Sequence, residues 1–273
     1  MAVTSDHEYR AMRLWRCAIC ALALTAAVPA QAQQSLPPQS QTEVAIALVL
    51  AVDVSGSVSN ERFELQKQGY AAAFSSRQVL NTIRSLVTQS IAVVMMQWTG
   101  PALHAVAVDW TLIKDEASAD GFAGAIAAAP RQLFGGGTSI SGAIDYSRVL
   151  LTLSPFKGVR RIIDISGDGA NNRGRPVTAA RDEAVQDGIG VNGLPILALE
   201  PDLDRYYYDN VIGGPGAFMI PAANYDAFAD AILKKLITEM AGTGGGAVQS
   251  NTVNPNRPAV SQTWPSLRRH FAG

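Results

Sequence analysis

The sequence predicts an α/β fold: a doubly wound, mostly parallel, Rossmann-like sheet with one antiparallel edge strand and helices on both faces. Three observations predict it. Strand and helix signals alternate from residue 43 to residue 241. The first strand, residues 44–52 (VAIALVLAV), is continuously apolar, the pattern of a strand buried on both faces. Two later strands are joined only by the tight turn Thr99-Gly100-Pro101, which makes them an antiparallel hairpin.

The elements follow in order. A helix over Asn60 to Phe74 comes after the first strand and its loop, with Ser59 or Asn60 placed to cap it. Ile91 to Trp98 and His104 to Trp110 form the hairpin, and the poor alternation of the second puts it at an edge. Ser139 to Leu151 is a helix opened by a glycine run. Arg160 to Ile165 is a strand. Thr178 to Gln186 is a helix that ends at Asp187-Gly188, where glycine suits the C-terminal cap. Ile189 to Leu199 is a strand, and Ala217 to Ile220 is expected to be a short final one. The last helix has the clearest period: Tyr225, Phe228, Ala229, Ile232, Leu233, Leu236, Ile237 and Met240 share one face.

The chain has 273 residues, a net charge of -1, and is 48% hydrophobic and 16% charged. That is enough apolar material for one large core. Near neutrality argues against nucleic acid as the main partner, since phosphate binding wants a basic face. Residues 1–32 read as a secretory signal peptide. Arg10, Arg13 and Arg16 precede an apolar stretch from Cys17 to Val28, and Ala30-Gln31-Ala32 fits a cleavage site. Met12 is an alternative start, because Asp6 and Glu8 are unusual before such a stretch. The expected mature chain is exported, periplasmic or extracellular, with no membrane span. It carries neither cysteine, since Cys17 and Cys20 both lie in the signal. Residues 33–42 read as a disordered leader, and 242–273 as a glycine-rich linker and disordered tail.

The chemistry gathers at strand ends. Asp53-Val54-Ser55-Gly56-Ser57 follows the first strand and puts a carboxylate and two hydroxyls at alternate positions, pointing the same way in an extended loop. Gly135-Gly136-Gly137 then offers Thr138 at the start of a helix. Asp168-Gly169 closes the strand that contains Asp164. In a doubly wound sheet, ligands bind beyond the carboxyl ends of the strands. Oxygen donors there suit a hard divalent cation.

These residues carry a resemblance. Asp53-x-Ser55-x-Ser57, a threonine after a glycine-rich loop and an Asp-Gly closing a later strand resemble the metal-ion-dependent adhesion site of the von Willebrand factor type A domain, over residues 43–241. The segment from Arg205 to Phe218 is similar to that of exported bacterial A-domain proteins of unassigned function. The resemblance implies that Ser55, Ser57 and Thr138 bind Mg²⁺ (or Mn²⁺ or Ca²⁺), and that Asp53 and Asp168 coordinate it or orient its waters. It also implies a protein partner that offers an Asp or Glu carboxylate to the metal. Ser166-Gly167 precedes Asp168 where the family often has Thr or Ser directly before the aspartate. Asp164 is therefore the competing carboxylate.

Other chemistries fit less well. No G-x-G-x-x-G follows the first strand, and no Lys follows the glycine run to complete a phosphate loop. No G-x-S-x-G is present, and His104 is the only histidine between residues 43 and 241, expected to be structural. The expected protein is not an enzyme. The alternatives are a metal-assisted hydrolase at the same cation, or a scaffolding domain with a vestigial site. Asn171 to Arg175 reads as a rim or a solvated loop, and Tyr206-Tyr207-Tyr208 as part of a packing helix.

Overall fold

The computed structural model describes residues 41–242; the signal sequence, most of the leader and the tail expected above lie outside the described residues. In chain order the elements are β1 (Thr42–Asp53), α1 (Asn60–Phe74), α2 (Arg77–Arg84), β2 (Ile91–Trp98), β3 (His104–Ile113), α3 (Glu116–Ala128) and α4 (Ile140–Thr152). There follow β4 (Phe156–Gly167), α5 (Val177–Gln186), β5 (Ile189–Pro195), α6 (Leu203–Tyr206) with a π turn at Tyr207–Val211, and α7 (Phe228–Ala241).

The strands form one five-stranded sheet in the order β3-β2-β1-β4-β5. Every pairing is parallel except β2 with β3, so the expected antiparallel edge strand is there. After β1 the chain winds outward to β2 and β3, then crosses back through α4 to β4 on the other side of β1. The winding therefore reverses between β1 and β4, and it is beyond the carboxyl ends of strands at such a point that these sheets bind ligands. Asp53 ends β1 and is level with Trp98 of β2, while Val52 is level with Ser166 of β4.

Alternation along β1 feeds two cores. Ile46, Leu48, Leu50 and Val52 face the layer of α1, α2, α3 and α7, where Phe74 meets Phe122 edge-on at 4.8 Å and Tyr70 meets Phe228 at 5.3 Å. Ala47, Val49 and Ala51 face α4, α5 and the π turn, against Ile140, Ile144, Ala180 and Tyr207. Burial on both faces is why β1 reads as an unbroken apolar run.

The expected final strand at Ala217 to Ile220 is a correction. Within it only Met219 forms an isolated bridge, to Gly193, and just beyond it Ala222 bridges Ile196. Gly214 and Gly216 have φ of 96° and 72°, and Pro221 has no N–H to donate, so this segment runs beside β5 without a continuous ladder. Ile189 to Leu199 is likewise strand only to Pro195. The segments left without an element include α2 and α3. In α3 the box closed by Asp115 and Ser118 marks the start, but Gly121 and Gly124 dilute the helical period.

Candidate metal centre

The loop after β1 is held from below. Ser55 N–H donates to Asp53 Oδ1 at 2.7 Å, and Gln66 Nε2 from α1 donates to Asp53 O at 3.1 Å. Arg131 uses its whole guanidinium on backbone and loop oxygens. It reaches Val54 O at 2.9 Å, Ser55 O at 3.2 Å, Val58 O at 2.7 Å, Asn60 Oδ1 at 3.2 Å and Leu133 O at 3.0 Å. One side chain thus clamps the Asp53–Ser57 loop to the segment that leads into the glycine run.

The side chains above this frame converge. Ser55 Oγ and Ser57 Oγ lie 3.1 Å apart, and Ser57 O–H donates to Asp168 Oδ1 at 2.6 Å across 111 residues of sequence. Asp168 Oδ2 accepts from the Tyr225 hydroxyl at 2.9 Å, and Arg62 approaches it at 3.7 Å. Asp53, Ser55 and Asp168 are buried, while Ser57 is exposed and gives the cluster its opening to solvent. Gly167 permits the close approach: a side-chain carbon there would lie 3.0 Å from both Asp53 Oδ2 and the Tyr207 hydroxyl oxygen.

Thr138 is placed by two loops. Gly135, Gly136 and Gly137 take φ of 72°, 96° and 80°, which only glycine adopts without strain. Asn172 then locks the result. Its Oδ1 accepts from Thr138 N–H at 3.0 Å, while the N–H groups of Asn172 and Arg173 donate to Thr138 O at 2.9 and 3.1 Å. Asn171 Oδ1 accepts from Ser141 N–H at 3.0 Å. The Asn171–Arg173 segment is therefore a brace between Thr138 and the start of α4.

The electrostatics ask for a cation. Asp53 Oδ2 is fully buried with no hydrogen-bond partner. Burial, reinforced by the charge of Asp168, pushes the Asp53 carboxyl up to about 7. Burial and the same Asp168 charge push the Tyr225 hydroxyl up too. Among the described residues no group of three or more His, Cys, Asp or Glu side chains gathers for a metal. The donor set is instead hydroxyl-rich with two carboxylates, which suits Mg²⁺ or another hard divalent ion rather than a thiolate- or imidazole-seeking one. An orphaned buried carboxylate oxygen beside a second carboxylate fits such an ion.

Asp164, the competing carboxylate, faces the other way. It is buried under α7, where Lys235 Nζ lies 2.8 Å from its Oδ1 and 3.2 Å from Glu239 Oε2. His104 is half-buried and stacked on Tyr146 at 4.9 Å, and burial lowers its pKa. Sequence reasoning missed Arg131 and Glu200, and it noticed Asn172 only as part of a rim or solvated loop. Glu200 Oε2 accepts from Ala170 N–H at 3.2 Å at the edge of the site.

A parallel sheet with one antiparallel edge, and a hydroxyl–carboxylate cluster at its switch point, define a von Willebrand factor A-like domain. Solved structures share this fold. Proximal thread matrix protein 1 from the mussel byssus is 16% identical with a TM-score of 0.52, over 74% of this chain and 48% of that one. Von Willebrand factor type A from Catenulispora acidiphila is 16% identical with a TM-score of 0.51, over 73% and 43%. The mussel protein is also known with zinc occupying its metal-ion-dependent adhesion site, and that structure matches at 14% identity and a TM-score of 0.51, over 71% and 45%. The chain spans less than half the length of these proteins. No curated protein matches in sequence. The family model described as "Protein of unknown function (DUF1194)" matches residues 43–244, and the chain belongs to that family.

Proposed function

We propose that this chain is an exported, non-enzymatic A-domain that binds a protein ligand through a divalent cation, Mg²⁺ foremost, held by Asp53, Ser55, Ser57, Thr138 and Asp168. The observation that carries the reading is the meeting of Ser57 and Asp168 at 2.6 Å beside the orphaned Oδ2 of Asp53. Mostly neutral donors would leave a bound cation electron-poor and ready to accept a carboxylate from a partner. The adhesion-site occupancy of the mussel relative supports the cation, and the fold shared with a pilus adhesin from Lactobacillus rhamnosus GG (17% identity, TM-score 0.50, over 74% of this chain and 30% of that one) supports the protein partner. Among the described residues no helix is long and apolar enough to cross a membrane.

Calorimetry with Mg²⁺, Mn²⁺ and Ca²⁺ tests the site: binding is expected in the native chain and lost in Ser57→Ala. A pull-down from envelope extract with and without chelator tests the partner. Equal metal response in both proteins, or capture indifferent to chelator, sinks the reading.

A further inference from the structure

Glu200 has a place in the site that no motif announces. It stands in the loop between β5 and α6, tethered by Ala170 N–H to its Oε2. A side-chain carbon placed on Gly169 would lie 3.5 Å from Glu200 Oε1 and 3.7 Å from Thr138 Oγ1, so both oxygens line the space that Gly169 leaves open. The Thr138 backbone is fixed by Asn172, and the Glu200 carboxylate by Ala170. The nearest arginine in sequence, Arg205, is turned to Asp209 at 3.6 Å. Glu200 thus brings a further carboxylate to the Thr138–Gly169 edge of the site, next to the turn that carries Asp168, while Asp53 Oδ2 lies buried and unpartnered. Like charges gathered this way are unfavourable unless a cation joins them.

We propose that Glu200 is an in-chain acidic arm of the metal centre. It answers, directly or through a water, the coordination position that a partner's carboxylate would otherwise take, and the partner must displace it. This rests on the metal reading above. Such an arm strengthens retention of the cation in the absence of a partner and sets a threshold that weak or isolated carboxylates do not cross. Glu200 is exposed and its N–H tether is a single bond, so release costs little structure.

The test uses Mn²⁺ and the whole chain, with calorimetry for affinity and water-proton relaxation for the waters on bound Mn²⁺. In Glu200→Gln the dissociation constant is expected to rise about 10-fold, the scale on which groups supporting a metal act. Relaxation per bound Mn²⁺ is expected to rise as water takes the vacated position. Acetate, the carboxylate probe, is expected to bind the Mn²⁺-loaded variant more tightly than the loaded native chain. If Ser57→Ala abolishes Mn²⁺ binding while Glu200→Gln changes neither affinity, relaxation nor acetate binding, the arm is refuted and the metal site stands. If the native chain binds no Mn²⁺, the metal reading itself falls, and the arm with it.

Discussion

Replacing Asp53 by Asn should stabilise the metal-free protein at neutral and higher pH. Asp53 is fully buried, its Oδ2 has no partner, and Asp168 adds a second negative charge beside it. Asn keeps an Oδ1 to accept from Ser55 N–H, now 2.7 Å from the carboxylate, and removes the charge. The magnitude follows from the Asp53 carboxyl, held at about 7 in the fold against an ordinary 3.8. At ~1.4 kcal/mol for each tenfold change in proton affinity, ionising it in the fold costs about 4 kcal/mol relative to the unfolded chain. The sign follows from proton binding. Between pH 3.8 and about 7 the folded state holds the proton more tightly, so the native metal-free protein loses stability as pH rises through that window and is flat above it. Chemical denaturation in chelator should show the variant more stable by roughly 2–4 kcal/mol at about pH 8, and close to the native chain at about pH 4. Saturating Mg²⁺ should reverse the order, because ligand binding stabilises only the protein that binds it. A variant less stable than the native chain at the higher pH, in chelator, would refute the argument that this carboxylate is strained without a cation.

Other outcomes follow from named contacts. Lys235→Met leaves the buried Asp164 without its cation and Glu239 with only the Arg160 cation, at 3.9 Å, and should cost about 3–5 kcal/mol in a denaturation curve, with metal affinity per folded molecule little changed. Arg131→Met removes the guanidinium from the Val54, Ser55 and Val58 carbonyls and leaves Gln66 on Asp53 O and Arg62 on Ser57 O; each buried carbonyl left bare costs about 1 kcal/mol or more, so stability and Mn²⁺ affinity should fall together, whereas unchanged affinity would show that the remaining bonds hold the loop. Glu183, partly exposed, is drawn down to about 2 by Arg175 first and then by Arg148. Its contribution is complete above its ordinary 4.5 and lost as pH falls towards 2. Melting curves for Glu183→Gln should therefore sit below the native ones at neutral pH and converge with them in acid.

The sheet and the loop at Asp53 were legible because their causes are local. An apolar run without polar breaks marks a strand buried on both faces, and oxygens at alternate positions mark a loop that presents them together. The glycine run was legible for the same reason: three residues with positive φ have almost no other identity open to them. The choice between Asp164 and Asp168 also had a local cue, the glycine after Asp168. Neither α2 nor α3 was legible: α2 has only eight residues, and Gly121 and Gly124 interrupt the period of α3. Ala217 to Ile220 looked like a strand by composition but has no continuous ladder.

By itself the sequence determined the alternation of strands and helices and the antiparallel edge, and it picked out Asp53, Ser55, Ser57, Thr138 and Asp168 as candidate oxygen donors. Only the tertiary structure decided what those side chains meet. It brought Ser57 to Asp168, turned Asp164 to Lys235, set Arg131 and Asn172 under the loops and brought Glu200 to the rim. The physical reason is that period and turn chemistry act between near neighbours, whereas pairing of charge and burial of a carboxylate depend on residues that only the winding of the sheet makes adjacent.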